Sequence, residues 1–166
     1  MEYTGHTIPE KVSQNLENAT FYELRPGEEL YRFSDSNPKG RCFFGYQASP
    51  WWFRKREFLI LKTRVQSSSL GLLQARLDAA ILQKFSHMDV LVRAIVRRQV
   101  DAWMGTPKPQ SEIAPNGMRI TMQGCKDVQQ VFIPDITDIS RMLTYYGRTA
   151  LSVEETTMLN STQLWK

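Results

Sequence analysis

The chain offers few residues able to do chemistry, and that scarcity directs attention to one arginine. His6 and His87 are the only histidines, neither has a visible serine and carboxylate partner, and no Walker-type loop or GxGxxG run occurs. Cys42 and Cys125 with those two histidines make no zinc-type constellation and no disulfide framework; both are expected as reduced, partly buried thiols. The adjacent acids Glu28/Glu29 and Glu154/Glu155 would alternate to opposite faces of a strand, which makes them poor partners for joint acid–base work. Arg32 stands apart, inside the apolar strand Leu30-Tyr31-Arg32-Phe33, on the same face as Leu30 and opposite Tyr31 and Phe33. A guanidinium cannot shed its charge, so it needs an acceptor or an anionic ligand. Glu29, Asp35 or a more distant carboxylate would serve as the first, a phosphate group as the second. Two further segments stand out: Ser49, just ahead of the aromatic pair Trp51-Trp52, and the strand Gln129-Gln130-Val131-Phe132-Ile133 that stops at Pro134.

The elements that must position these residues read as one domain over 1–166, with residues 1–20 as an N-terminal helical extension. A chain of 166 residues buries roughly 68–70% of its unfolded surface without staples. No run approaches the roughly 20 apolar residues of a membrane span, and the polar start does not read as a secretory signal peptide. A net charge of +4 permits attraction to polyanions without establishing it. The basic residues gather at Arg54-Lys55-Arg56 and at Arg93, Arg97 and Arg98, each a solvated face or a phosphate-binding edge.

In chain order, residues 9–19 predict a short helix with Pro9 at its start. Strands are expected at 30–33, at 42–46 and at 57–65, the last from alternation of Phe58, Ile60 and Lys62. Leu70, Leu73, Leu77, Ile81 and Phe85 then recur every three or four residues behind Ser69, the pattern of an amphipathic helix with a serine cap. Ser86 to Asp89 resembles a capping box for a second helix, with Leu91, Ala94, Ile95, Ala102 and Trp103 as its face and Gly105 and Pro107 as its stop. A proline-rich loop over 106–117 leads through the Asn116-Gly117 turn to a strand at 118–122. Another strand spans 128–133, a helix is expected at 136–146, and 151–159 is open between strand and helix. Strands at both ends with helices between them give an α+β fold.

Three of these segments, in order, resemble the ADP-ribosyltransferase superfamily. Leu30-Tyr31-Arg32-Phe33 is similar to the family's arginine strand, Ala48-Ser49-Pro50-Trp51 to its serine segment, and Gln130-Val131-Phe132-Ile133-Pro134 to its catalytic glutamate strand, with Gln130 in the glutamate's place. The resemblance covers these short motifs rather than the whole chain. The interval between Arg32 and Ser49 is too short for the helix many members insert there. Some NAD glycohydrolase toxins of the same fold carry glutamine at the corresponding point, and the chain resembles these as well.

The resemblance implies a split β-sheet core with two central amphipathic helices, and an NAD+-cleaving toxin or effector. Arg32 would anchor the pyrophosphate, Ser49 would order the site and Gln130 would contact the nicotinamide-ribose, all in one cleft. Tyr31, Tyr46 and Trp51 would line the pocket around the cationic nicotinamide ring. A neutral amide accepts a hydrogen bond but supplies no full charge, which shifts weight toward hydrolysis without excluding transfer to a macromolecular acceptor. The resemblance further implies a cytoplasmic site of action, delivery without a cleavable signal, and an immunity or antitoxin protein as partner. Two other readings stand beside it: a non-enzymatic binding module using a Trp51-Trp52 patch, and a nucleic-acid-binding domain using the basic clusters.

Overall fold

The computed structural model describes residues 7–34, 50–70, 72–81, 88, 90–113, 116–134 and 151–159. Within them the order is α1 (Glu10–Asn15), β1 (Leu16–Leu24), β2 (Glu29–Ser34), β3 (Trp51–Arg54), α2 (Lys55–Ser67), α3 (Leu72–Ala79), β4 (Val90–Val96), β5 (Val100–Pro107), β6 (Gln110–Ile113), β7 (Arg119–Met122), β8 (Gln130–Phe132) and β9 (Leu151–Met158). The fold is α+β. Seven strands form one sheet in the order β1-β5-β8-β3-β2-β4-β9, and β6 and β7 form a separate ribbon. Every pairing described is antiparallel.

This sheet cannot lie flat. β4 and β5 are four places apart in the order, yet only Arg97, Arg98 and Gln99 join them. Four strand spacings measure roughly 19 Å, whereas three linking residues reach roughly 14 Å at full extension. The sheet therefore folds over until the two strands meet. At this corner backbone hydrogen bonds carry the β2–β4 pairing into the turn before β2: Gly27 N–H donates to the Val96 carbonyl at 2.8 Å, and Val96 N–H donates to the Glu28 carbonyl at 2.9 Å. Pairing is thin on both sides of β3, which meets β8 through two register pairs, Trp51↔Phe132 and Trp52↔Val131. β2 meets β3 through two register pairs, Leu30↔Arg54 and Tyr31↔Phe53, while it meets β4 through six. The inner faces enclose a core to which all seven strands contribute, including Leu24, Ala102, Val131, Trp52, Leu30, Val92 and Leu151. The outer face of β2 and β3 carries Tyr31, Phe33 and Phe53, packed under Phe58, Leu61 and Val65 of α2 and Ala75 and Ala79 of α3.

Several elements differ from the sequence expectation. Residues 57–65 are helical within α2: Phe58, Leu61 and Val65 are buried at helical spacing, and that face outweighs the short alternation at the segment's start. Glu57 in the first turn and Arg64 in the last suit the helix dipole. The second expected helix is instead the pair β4 and β5. Val90, Val92, Ala94 and Val96 are buried in strict alternation with half-buried neighbours, so the β-branched period of two wins over the three-to-four spacing of Leu91, Ala94 and Ile95. The helix begun at Leu72 ends at Ala79, before the expected Phe85. The N-terminal helix stops at Asn15, and residues 16–20 of the expected extension belong to β1. β6 occupies part of the expected loop, with the Asn116-Gly117 turn where the sequence placed it. Residues 151–158 are a strand paired with β4. The expected strand at 42–46 and helix at 136–146 lie outside the described residues.

Gly105 fixes how closely β1 and β5 approach. A Cβ built there would sit 2.8 Å from the Glu17 carbonyl oxygen and 3.1 Å from the Ala19 Cα, beside the register shift between Glu17 and Thr20. Backbone atoms cannot step aside as a flexible side chain would. Gly105→Ala is expected to destabilise the fold by roughly 1–3 kcal/mol, read as a lower midpoint in urea denaturation. A midpoint equal to that of the wild type would show that the β1 bulge yields freely.

Candidate functional site

Alternation along β2 sends Leu30 and Arg32 to the inner core face and Tyr31 and Phe33 to the helices. Arg32 is half-buried, opposite Val92 of β4. Its guanidinium carbon lies 5.6 Å from the ring centroid of Trp52, a residue with no solvent exposure. A cation over an indole face is worth about 0.5–2 kcal/mol and fixes where the guanidinium points.

Gln130 does not join it. Val131 is opposite Trp52, and both belong to the inner core with Arg32's neighbour Leu30. Gln130, one residue earlier, projects outward. The expectation of a single cleft lined by Arg32 and Gln130 is therefore not met: the two side chains leave opposite faces of the sheet. The strand period of two is the physical reason.

On its own face Gln130 completes the end of α3. The last carbonyls of a helix have no partner within it. Here Ala80 takes the left-handed conformation at φ 53°, Ala80 N–H reaches the Leu77 carbonyl and Ile81 N–H the Arg76 carbonyl, which is a Schellman turn. The segment leading into β8 supplies the other donors. Gly124 N–H donates to the Leu77 carbonyl at 3.1 Å, Cys125 N–H to the Asp78 carbonyl at 2.7 Å, and Gln130 Nε2 to the Ala79 carbonyl at 2.8 Å. Gln130 is a docking residue between α3 and β8 in this structure.

Of the expected pocket residues, Tyr31 is 8% exposed and its ring lies parallel to Phe58, with centroids 4.0 Å apart. That ring face is taken. Trp51 is half-buried at the end of an aromatic row, Phe21–Trp103–Phe132–Trp51, with one residue from each of β1, β5, β8 and β3. Trp51 and Trp52 leave opposite faces, and Trp52 is wholly buried, so they form no joint surface patch. Ser49 and Tyr46 lie outside the described residues.

The basic clusters are largely answered by acids. Arg54 binds Glu57 through two nitrogens, one at 3.0 Å, and Glu57 is fully buried in the first turn of α2. The Glu57 carboxylate raises the Arg54 pKa. Arg54 also lies over the Tyr22 ring at 5.5 Å, and the Tyr22 hydroxyl donates to Glu28 at 2.7 Å. Burial, then the Glu28 carboxylate, pushes the Tyr22 phenol up. Lys55 and Arg93 converge on Glu29 at 3.3 and 3.2 Å, and Arg97 pairs with Glu154. This polar network was hidden from sequence reading because 57–65 looked like a strand; as a helix, Arg54 and Glu57 fall at a natural i,i+3 spacing. Among the described residues no group of three or more His, Cys, Asp or Glu is placed to hold a metal ion. Nor is any helix among them long and apolar enough to cross a membrane.

Comparison with known proteins gives a likeness of fold. No family model and no curated protein sequence matches the chain. A chain of the solved structure of Rhs1-CT in complex with cognate immunity protein RhsI1 is similar over 86% of this chain and 83% of that one, at a TM-score of 0.51 and 14% sequence identity.

Two consequences can be measured. Gln130→Ala removes a donor from a helix-terminal carbonyl and is expected to cost about 1 kcal/mol of stability. Gln130→Glu should cost more at neutral pH, because an ionised carboxylate cannot donate and faces the negative end of α3. It should recover part of that loss in acid; equal stability of the two variants at every pH would remove the cap from the account. For Glu29, burial opposes ionisation, but the Tyr31 hydroxyl, Lys55 and Arg93 together hold its pKa below the usual range. Its contribution is complete above the unfolded-state pKa and is lost as pH falls through the lowered folded value. Glu29→Gln should therefore flatten the acid limb of the stability profile, and an unchanged limb would contradict the assignment.

Proposed function

We propose that the chain is a toxin-type effector domain of bacterial competition that cleaves NAD+, releasing nicotinamide and passing ADP-ribose to water or to a macromolecular acceptor. The observation that carries this reading is the adjacency of its three motif strands. The arginine strand β2, the strand β3 that follows the serine segment, and the glutamine strand β8 are consecutive neighbours, β8-β3-β2, in the middle of the sheet. They are brought together from positions nearly a hundred residues apart in sequence. The fold likeness to a chain of the complex of Rhs1-CT with its cognate immunity protein supports the effector part of the reading.

Arg32, oriented by Trp52, is the anchor for the pyrophosphate, with a planar fork suited to phosphate oxygens. Gln130 enters through position, since its amide holds α3 against β8. Continuing the alternation of β8 by one residue puts the half-buried Gln129 on Arg32's face, so Gln129 is the amide offered to the nicotinamide-ribose. In hydrolysis the bond from ribose C1′ to the nicotinamide nitrogen breaks, and its electron pair neutralises the ring. Water then bonds to C1′ and releases a proton. Nicotinamide is a good leaving group, so the site needs chiefly to hold the dinucleotide and support an oxocarbenium-like state. The cytoplasm, where NAD+ is abundant, is the proposed place of action.

The test is nicotinamide release from NAD+ by purified protein, with and without cell lysate as a source of acceptors. Arg32→Ala and Gln129→Ala are expected to lower release at least tenfold, with Arg32→Ala losing no more than about 2 kcal/mol of stability with its Trp52 contact. Gln130→Ala should lose stability, with release falling only in proportion to the unfolded fraction. Release without lysate identifies hydrolysis; release only with lysate identifies transfer. A wild-type protein that releases none under either condition overturns the proposal.

A further inference from the structure

The outward face of α2 and its connection to α3 are composed for contact with another molecule. Lys55, Arg56 and Arg64 are exposed and Lys62 is half-buried, while the one acid of the helix, Glu57, is fully buried. Glu29, Glu57 and Asp78 answer part of this charge, but Lys62 has no acidic partner among the described residues. Set among the cations are Leu59, Leu70 and Leu73, at 47%, 48% and 45% exposure. Leu59, Thr63 and Ser67 follow one another at four-residue intervals and so form one stripe. Leu70, Thr63, Arg64, Ser67 and Gln74 take part in lining an open groove of about 720 Å³. Its hydroxyls already serve the backbone: Thr63 Oγ1 donates to the Leu59 carbonyl and Ser67 Oγ to the Thr63 carbonyl. Arg64 is bidentate to Asp78. What the face offers a visitor is apolar contact ringed by positive charge.

We infer that this face docks an acidic protein partner of the immunity type, whose carboxylates meet Arg56 and Lys62 and whose apolar side chains seat on Leu59, Leu70 and Leu73. The inference rests on the effector reading. Charge complementarity chooses the occupant: a chain of net charge +4 presents here a helix with no exposed acid. A bilayer is a poorer fit. The continuous apolar face of α2, Phe58, Leu61 and Val65, is turned into the core, leaving separate exposed leucines, of which Leu70 lines the groove, rather than a face to insert. Nucleic acid is poorer too, because leucines interrupt the cations where phosphates would have to run. α2 packs on the side of the sheet opposite to Arg32, so docking here and dinucleotide binding are separable.

The probe is the purified product of the reading frame adjacent to this chain's own, titrated calorimetrically against the full chain. The wild type should bind it one to one. Paired Leu59→Ser and Leu70→Ser, and separately paired Arg56→Glu and Lys62→Glu, should each weaken binding at least tenfold with an unchanged circular dichroism spectrum. Should the serine pair lose its fold, Leu73→Ser alone supplies the apolar arm. Arg32→Ala should bind as the wild type does. The inference is overturned if the product does not bind, if the α2 variants bind at full strength, or if they lose affinity only for phosphatidylserine vesicles or transfer RNA. Nicotinamide release in the same preparations separates the two failures. Release with undiminished binding of the variants sinks the docking face alone, and α2-dependent binding without release sinks the NAD+ reading alone.

Discussion

The three-residue link between β4 and β5 is the constraint on which the rest of the molecule depends. It is too short to cross a flat sheet of this strand order, so the sheet must fold over. Folding over creates an interior between the two parts of the sheet, and that interior accepts the apolar residues of all seven strands. It also decides what the outer face can be. With the inner faces closed on each other, α2 and α3 cover the outside of β2 and β3, and every residue of those strands is committed to one layer or the other by its parity.

That parity separates Arg32 from Gln130. The sequence made β2 and β8 legible as strands and even gave the right face relation within β2, since Arg32 does share a side with Leu30 and oppose Tyr31 and Phe33. What it could not supply was the parity of one strand relative to another. Register across β2, β3 and β8 depends on how β3 enters after a long connection, and no local pattern encodes that. The α2 error has a different origin. Nine residues with apolar positions at 58 to 61 and at 65 satisfy both periods, and only burial tells which face is used. In β4 the β-branched valines were the better signal, overshadowed by a capping pattern just before them. The late strand at Leu151 was ambiguous for its acids, and of these Glu154 is exposed and paired with Arg97.

Charge in this protein serves junctions more than surfaces. Arg54 and Glu57 lock the change from strand to helix where β3 becomes α2, and Tyr22 and Glu28 continue that network to β1 across the folded sheet. Arg64 and Asp78 join α2 to α3, and the carbonyls that end α3 are taken by the chain entering β8. A buried ion pair of this kind contributes little net stability, since desolvation offsets most of its attraction. Its value lies in direction: removing one member strands the other, so each junction accepts a single geometry.

The strand order also governs how the chain can reach this state. Apart from β2 and β3, no two strands of the main sheet are both neighbours in space and consecutive among the described strands. Leu24 of β1 waits for Val100 of β5, and Ala94 of β4 for Val153 of β9. Among the described strands only the β6–β7 ribbon joins strands close in sequence, with Ile113 opposite Arg119. Loop-closure entropy must be met before such distant pairings stabilise anything, which sets the chain among topologies that fold in milliseconds to seconds rather than microseconds. β1 thus leaves the ribosome before the strand it pairs with exists, and the edge that β5 covers stays unpaired until Val100–Pro107 has followed.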